Sequence, residues 1–157
     1  MFNTSNHHLL HKNAIKLVMA QLPKAVDMDA ISGYYAPYDV EWNNIKFLVK
    51  VAKPSKKASQ KRAKWFYTLK EKDHEVADFF ILFAIMGGSI KAIYALPRIF
   101  SPKVYITITK LNNNMRYDYF RTTLDDLPNK IMSIKEDLPR LIKIYRDAKA
   151  MKGGANK

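Results

Sequence analysis

The run DFFILFAIMGGSIKAIYALP, residues 78–97, restricts the possible folds more than any other stretch of the chain. From Phe79 to Ile90 it is uncharged for 12 residues, with Asp78 and Lys91 at its borders. A membrane-spanning helix needs roughly 20 apolar residues, so this run is too short to cross a bilayer. The Gly-Gly-Ser in its middle suits a tight hairpin turn. The run is therefore predicted to be two buried strands, at about 78–86 and 90–96, folded back on each other.

The remaining periodicities fill in an α+β plan. Residues 9–22 place Leu10, Ala14, Leu17, Val18 and Gln21 at helical spacing, with Asn6 as a candidate cap and Pro23 just past the end. Apolar strands are expected at 34–42 and 45–52, joined by Asn43-Asn44, because asparagine tolerates the positive φ of a two-residue turn. Strand signals resume with KWFYTL (64–69) and again with KVYITI (103–108), while KEKDHE (70–75) reads as a polar turn and 111–122 as irregular. The chain is predicted to close with a short helix at 124–134 and a second helix capped by Asp137, with Pro139 in its first turn. Gly153 is expected to end that helix, leaving 153–157 as a flexible tail. Helix, strands, then helices make a single domain over 1–157: an α/β or α+β fold with a mixed sheet, long enough to bury a real core.

Composition narrows the partners. The chain carries 27 basic and 14 acidic residues, a formal net charge of +13, which favours a polyanion such as nucleic acid. It has no cysteine, so disulfides and thiolate zinc sites are excluded. The N-terminal MFNTSNHHLLHK lacks the basic start and long apolar core of a secretory signal. The expected setting is the cytoplasm or another intracellular compartment that holds nucleic acid, with no membrane partner. A phosphate-binding glycine loop and a Gly-x-Ser-x-Gly elbow are both missing from the sequence.

The first hairpin holds the candidate chemistry. With a two-residue turn at Asn43-Asn44, Trp42 faces Ile45, Glu41 faces Lys46, Val40 faces Phe47 and Asp39 faces Leu48. Strand alternation then puts Val40, Trp42, Ile45, Phe47, Val49 and Val51 on a core face. Asp39, Glu41, Lys46, Leu48, Lys50 and Ala52 fall on the other, polar face. Asp39 and Lys50 become diagonal neighbours, about 7–8 Å apart at Cα, which long side chains can bridge. An ordinary cross-strand ion pair is the plainest expectation.

PYDV, a hairpin, and then KFLVKVAK resemble the signature of the PD-(D/E)XK nuclease superfamily, the restriction-endonuclease-like fold. In that family a strand carries an aspartate after Pro or Tyr, and the next carries an acid or glutamine, one residue, then lysine. ADFFILFAI and IYALP are similar to later strands of small homing-type and resolvase-like members, so the resemblance spans about 9–100. It implies a mixed sheet flanked by an N-terminal helix and C-terminal helices. It also implies Mg²⁺-dependent hydrolysis of DNA phosphodiesters, with Asp39 and Lys50 as catalytic residues and Asp39 and Glu41 as metal ligands. Such enzymes hold the ion between carboxylates so that it polarises the phosphate and activates water. Two positions depart from the pattern: Leu48 stands at the motif acid, and the first helix carries no acidic residue.

Residues 53–64, KPSKKASQKRAK, hold six basic residues in twelve. They read as a solvated basic loop whose Lys53, Lys56, Lys57, Lys61, Arg62 and Lys64 contact phosphate, which positions nucleic acid without reading sequence. Trp65, Phe66 and Tyr67 follow, either as core residues of a strand or as rings for base stacking. His7, His8 and His11 sit at i, i+3 and i, i+4 spacing but lack a further metal ligand nearby. The expectation is a nucleic-acid-binding protein with a nuclease-like fold, DNA preferred over RNA, hydrolytic with Mg²⁺ if the site is complete. A homo-oligomer is compatible with this. The alternative is a non-catalytic basic subunit of a ribonucleoprotein or protein complex that uses the same surface for contact.

Overall fold

Two turns with left-handed backbone organise the central sheet. Asn43 and Asn44 have φ of 51° and 63°, and Gly87 and Gly88 have φ of 58° and 78°. Each pair makes the two-residue hairpin link whose twist matches that of its flanking strands. A computed structural model describes residues 7–32, 36–54, 62–69, 71–99, 103–109 and 117–155. In chain order its elements are α1 (His7–Gln21), β1 (Val26–Asp27), α2 (Met28–Ser32), β2 (Val40–Trp42), β3 (Ile45–Ala52), β4 (Arg62–Thr68), α3 (Glu71–Val76), β5 (Phe79–Met86), β6 (Ser89–Pro97), β7 (Lys103–Thr109), β8 (Arg121–Thr122) and α4 (Leu127–Ala155).

Six strands form one mixed sheet in the order β1-β2-β3-β5-β6-β8, and β4 pairs with β7 in a two-stranded ribbon of its own. The first hairpin has the expected register, Val40 opposite Phe47, Glu41 opposite Lys46 and Trp42 opposite Ile45. β3 and β5 run parallel, while β5 and β6 are antiparallel. Central β5 is buried from Phe79 to Ile85 without alternation, as a strand covered on both faces must be. Asp78 sets its start against β3. Its N–H donates to the Lys46 carbonyl at 2.8 Å, and its Oδ2 accepts the Lys46 N–H at 2.9 Å. Helix α1 buries Leu10, Ala14, Ile15 and Val18 and packs on β3. The class is α+β, with a mixed sheet, an N-terminal helix and a C-terminal helix. No helix among the described residues is long and apolar enough to cross a membrane.

Several local expectations give way to tertiary packing. The strand expected over 34–42 is regular only from Val40, and residues 33–35 lie outside those described. Pro37, which has no N–H to donate, precedes it. KEKDHE is not a turn: Glu71–Val76 forms α3, and its Asp73 is buried against Lys50. The two C-terminal helices are one. Leu127, Ile131, Ile134 and Leu141 make a single buried stripe through α4, with Pro139 inside the helix on its exposed side. There the missing backbone hydrogen bond leaves the Lys135 carbonyl near water, and the apolar stripe outweighs it. Asp137 is therefore no cap. Its carboxylate accepts from Arg140 Nε at 2.7 Å and from the Tyr119 hydroxyl at 2.7 Å, which lower it to about 2. The helix also continues through Gly153 to Ala155, and residues 156–157 lie outside the described set.

Two tyrosines test how tightly this core is hydrogen-bonded. The Tyr67 hydroxyl donates to the Phe83 carbonyl at 2.8 Å, whereas the buried Tyr94 hydroxyl has no partner among the described residues. Tyr67→Phe should cost about 0.5–1.5 kcal/mol, and Tyr94→Phe should be neutral or stabilising, because it removes a buried group that bonds to none of them. Chemical denaturation of both variants reads this. A larger loss from Tyr94→Phe would mean that the hydroxyl has a partner beyond the described residues, a buried water included. Phe47, fully buried, should cost about 3–5 kcal/mol when cut to alanine.

Candidate functional site

β3 is eight residues long and its partner β2 only three, so one edge of β3 outruns its neighbour. The hairpin ladder ends where the Asp39 N–H donates to the Phe47 carbonyl at 2.9 Å. Backbone groups of a strand face one side at alternate residues, so the next peptide on that edge belongs to Val49. A buried N–H and carbonyl need partners, and two side chains supply them. The Val49 N–H donates to Asp39 Oδ2 at 2.8 Å, and His11 Nε2 donates to the Val49 carbonyl at 2.9 Å.

The same His11 nitrogen lies 3.3 Å from Asp39 Oδ2. With two oxygen acceptors in front of it, Nε2 carries a proton in either charge state. The hydrogen bond to Asp39 raises the His11 pKa above its ordinary 6.5, opposed by burial and aided by the Asp39 charge and the Val49 carbonyl. Asp39 is only 6% exposed. The side that alternation makes polar is thus largely withdrawn from solvent at this point, and Leu48, 8% exposed, shares it.

Lys50 has a different partner from the one expected. Its Nζ is 3.4 Å from Oδ2 of Asp73 on α3, and the bridge to Asp39 does not form. Asp39 had a nearer claim, a backbone N–H that needed an acceptor, and α3 brought Lys50 a carboxylate of its own. The two candidate catalytic residues nevertheless line one open cleft of about 370 Å³, with Leu48 between them and His7, His8 and His11 of α1 opposite. Glu41 is not among the cleft's lining residues; it stands opposite Lys46 in the register.

The basic run is divided by the fold. Lys53 is exposed just past β3, Lys56, Lys57 and Lys61 lie outside the described residues, and Arg62 and Lys64 belong to β4 rather than to a loop.

A Mg²⁺ ion of the kind the resemblance implies takes oxygen ligands in near-octahedral geometry, with one or two carboxylates to anchor it. The described residues gather no set of three His, Cys, Asp or Glu side chains able to hold a metal. Leu48 stands at the position that the resemblance gives to an acid, and Asp39 Oδ2 is already bonded to Val49 and His11. The residues present do not fit the ion. What the cleft offers is imidazole and ammonium donors suited to an anion such as phosphate.

Asp73 was not legible as a site residue, and His11 was legible only as a weak metal-ligand candidate, not as the partner of Asp39 and Val49. His11 adjoins Leu10 on the buried stripe of α1, which marks it as half-buried, but its partner is 38 residues away. Asp73 sits in a segment whose composition alone reads as solvated. Comparison with family models, curated proteins and solved structures found no match to the chain.

Asp39→Ala should destabilise the fold by about 1–3 kcal/mol, since the Val49 N–H loses its acceptor, while Asp39→Asn, with an amide oxygen in place, should cost less. His11 should titrate above 6.5 by NMR, and Asp39→Asn should bring it down. Because the folded state holds the His11 proton more tightly than the unfolded chain, this stabilisation is complete below about pH 6.5. It is lost as pH rises through the raised value. The stability gap between the parent and His11→Gln should therefore narrow as pH increases across that window, and a gap that widened would contradict the assigned geometry.

Proposed function

We propose that the chain is a nucleic-acid-binding protein that contacts phosphate through the Lys50 cleft and the basic segment running from β3 into β4. The observation that carries this reading is the pairing of the local carboxylates. Asp39 is hydrogen-bonded to His11 and Asp73 paired with Lys50, so both buried acids near the cleft have donors within the fold itself. The chain's +13 excess is then left to act on a partner, and six of those cations are concentrated in residues 53–64. A polyanion bound there gains by releasing counterions, whatever its sequence.

The nuclease resemblance supports the same partner and a phosphodiester backbone as the group contacted. The conclusion is binding rather than hydrolysis, with DNA the preferred nucleic acid. Metal-dependent cleavage would require a ligand set that the described residues do not supply.

Fluorescence anisotropy against duplex DNA and RNA at several salt concentrations tests this. Affinity should be micromolar or better at low salt and fall steeply as salt is added. Neutralising Lys56, Lys57, Lys61 and Arg62 together should flatten the log–log salt dependence by about 0.9 for each duplex phosphate that no longer meets a cation. An unchanged slope in the quadruple variant would remove this segment from the interface, and no binding of either nucleic acid at low salt would end the proposal.

A second measurement asks whether Leu48 stands where an acid once did. Leu48→Glu adds a carboxylate to the cleft that holds Asp39 and Lys50. Titration calorimetry should show tighter Mn²⁺ binding than the parent. A folded variant with no gain would mean that this position does not correspond to the motif acid.

A further inference from the structure

The sequence WFY at 65–67 offered either core residues or stacking rings, and the structure separates the three. Trp65 and Tyr67 point inward. The indole donates to the Ile85 carbonyl at 3.1 Å and the Tyr67 hydroxyl to the Phe83 carbonyl at 2.8 Å, which ties the β4–β7 ribbon to β5. Strand alternation turns Phe66 the opposite way, where it is 48% exposed. Lys64, on the same side, holds its Nζ 5.5 Å from the Phe66 ring centroid, and Thr68 beyond is also exposed. Across the ribbon the register partners of Lys64, Phe66 and Thr68 are Thr107, Tyr105 and Lys103.

One exposed apolar residue is ordinary on a protein surface. Phe66 differs in its setting. It stands on a ribbon outside the main sheet, in a strand that continues directly from the basic segment. A cation lies at its ring, and the inward neighbours on either side are hydrogen-bonded to the core. The ring is thus presented by a strand that is hydrogen-bonded to the core, with an ammonium group beside it.

We infer that this outer face of the β4–β7 ribbon is a stacking platform for single-stranded nucleic acid, with Phe66 as the ring and Lys64 as the phosphate contact. The inference rests on the nucleic-acid reading above and adds the form of the ligand. Base–aromatic stacking tolerates any sequence because every base has a π-face, and a basic groove alongside tracks the backbone. A duplex keeps its bases stacked on one another and offers the ribbon only phosphate.

The test compares a labelled mixed-sequence single strand of about 12 nucleotides, a length within the range of such sites, with its duplex. Phe66→Ala should weaken single-strand binding by roughly 5- to 150-fold, the range expected when one base is deprived of its aromatic partner. It should leave the salt slope and duplex affinity unchanged. Phe66→Trp should retain single-strand affinity, and its new indole should be quenched by the oligonucleotide over the background of buried Trp42 and Trp65. Thermal melts check that both variants fold, which the exposure of Phe66 favours. Equal losses for single strand and duplex, or no loss from Phe66→Ala, would overturn the platform while leaving nucleic-acid binding intact. Failure of the parent to bind either form would instead remove the underlying reading, and the platform with it.

Discussion

The Val49 peptide group is the point on which the site depends. β3 continues past the end of β2, and an unpaired N–H and carbonyl there would cost about 1–3 kcal/mol each if left buried and unbonded. The fold meets both with side chains, the Asp39 carboxylate as acceptor and the His11 ring as donor. One consequence is that α1 is held against β3 by a directional bond as well as by Leu10, Ala14 and Val18. Another is that the Asp39 carboxylate is committed to the backbone. The cleft inherits its shape from this arrangement, since His11 and Asp39 are part of its wall.

Charge is handled in two tiers. Inside, each buried carboxylate has a local donor, Asp39 the His11 ring and Asp73 the Lys50 ammonium. A buried carboxylate without such a partner would be strongly destabilising. Over the chain as a whole, cations outnumber acids 27 to 14. This separation lets a protein with a formal charge of +13 keep an ordinary apolar core. The β4–β7 ribbon follows the same division, with aromatic side chains bonded inward at Trp65 and Tyr67 and a cation beside an exposed ring at Lys64 and Phe66.

Much of the sheet was legible because its determinants are short-range. Asn43-Asn44 and Gly87-Gly88 specify left-handed turns from their own side chains, or lack of them, and a two-residue turn dictates the register of the strands it joins. The alternation of Val40, Trp42, Ile45, Phe47 and Val49 therefore predicted a core face that the fold has. The helical assignments were weaker where two local signals conflicted. At α4, Asp137 and Pro139 imitate a helix start, yet the stripe Leu127, Ile131, Ile134 and Leu141 is continuous through them. Burial of four apolar side chains outweighs the absence of one exposed backbone hydrogen bond.

The sequence by itself determined the two hairpins, the register of β2 on β3, the apolar centre at 79–85 and the basic excess, since each depends on residues adjacent in the chain. Tertiary structure alone decided which cation meets which carboxylate. Asp39 and Lys50 were close enough to pair by register, but Asp39 lies beside an unpaired peptide of its own sheet and Lys50 beside a helix that composition did not predict. Those partners, His11 at a separation of 28 residues and Asp73 at 23, are brought in by packing. Hydrogen bonds and ion pairs act over a few ångströms, so only the assembled fold could assign them.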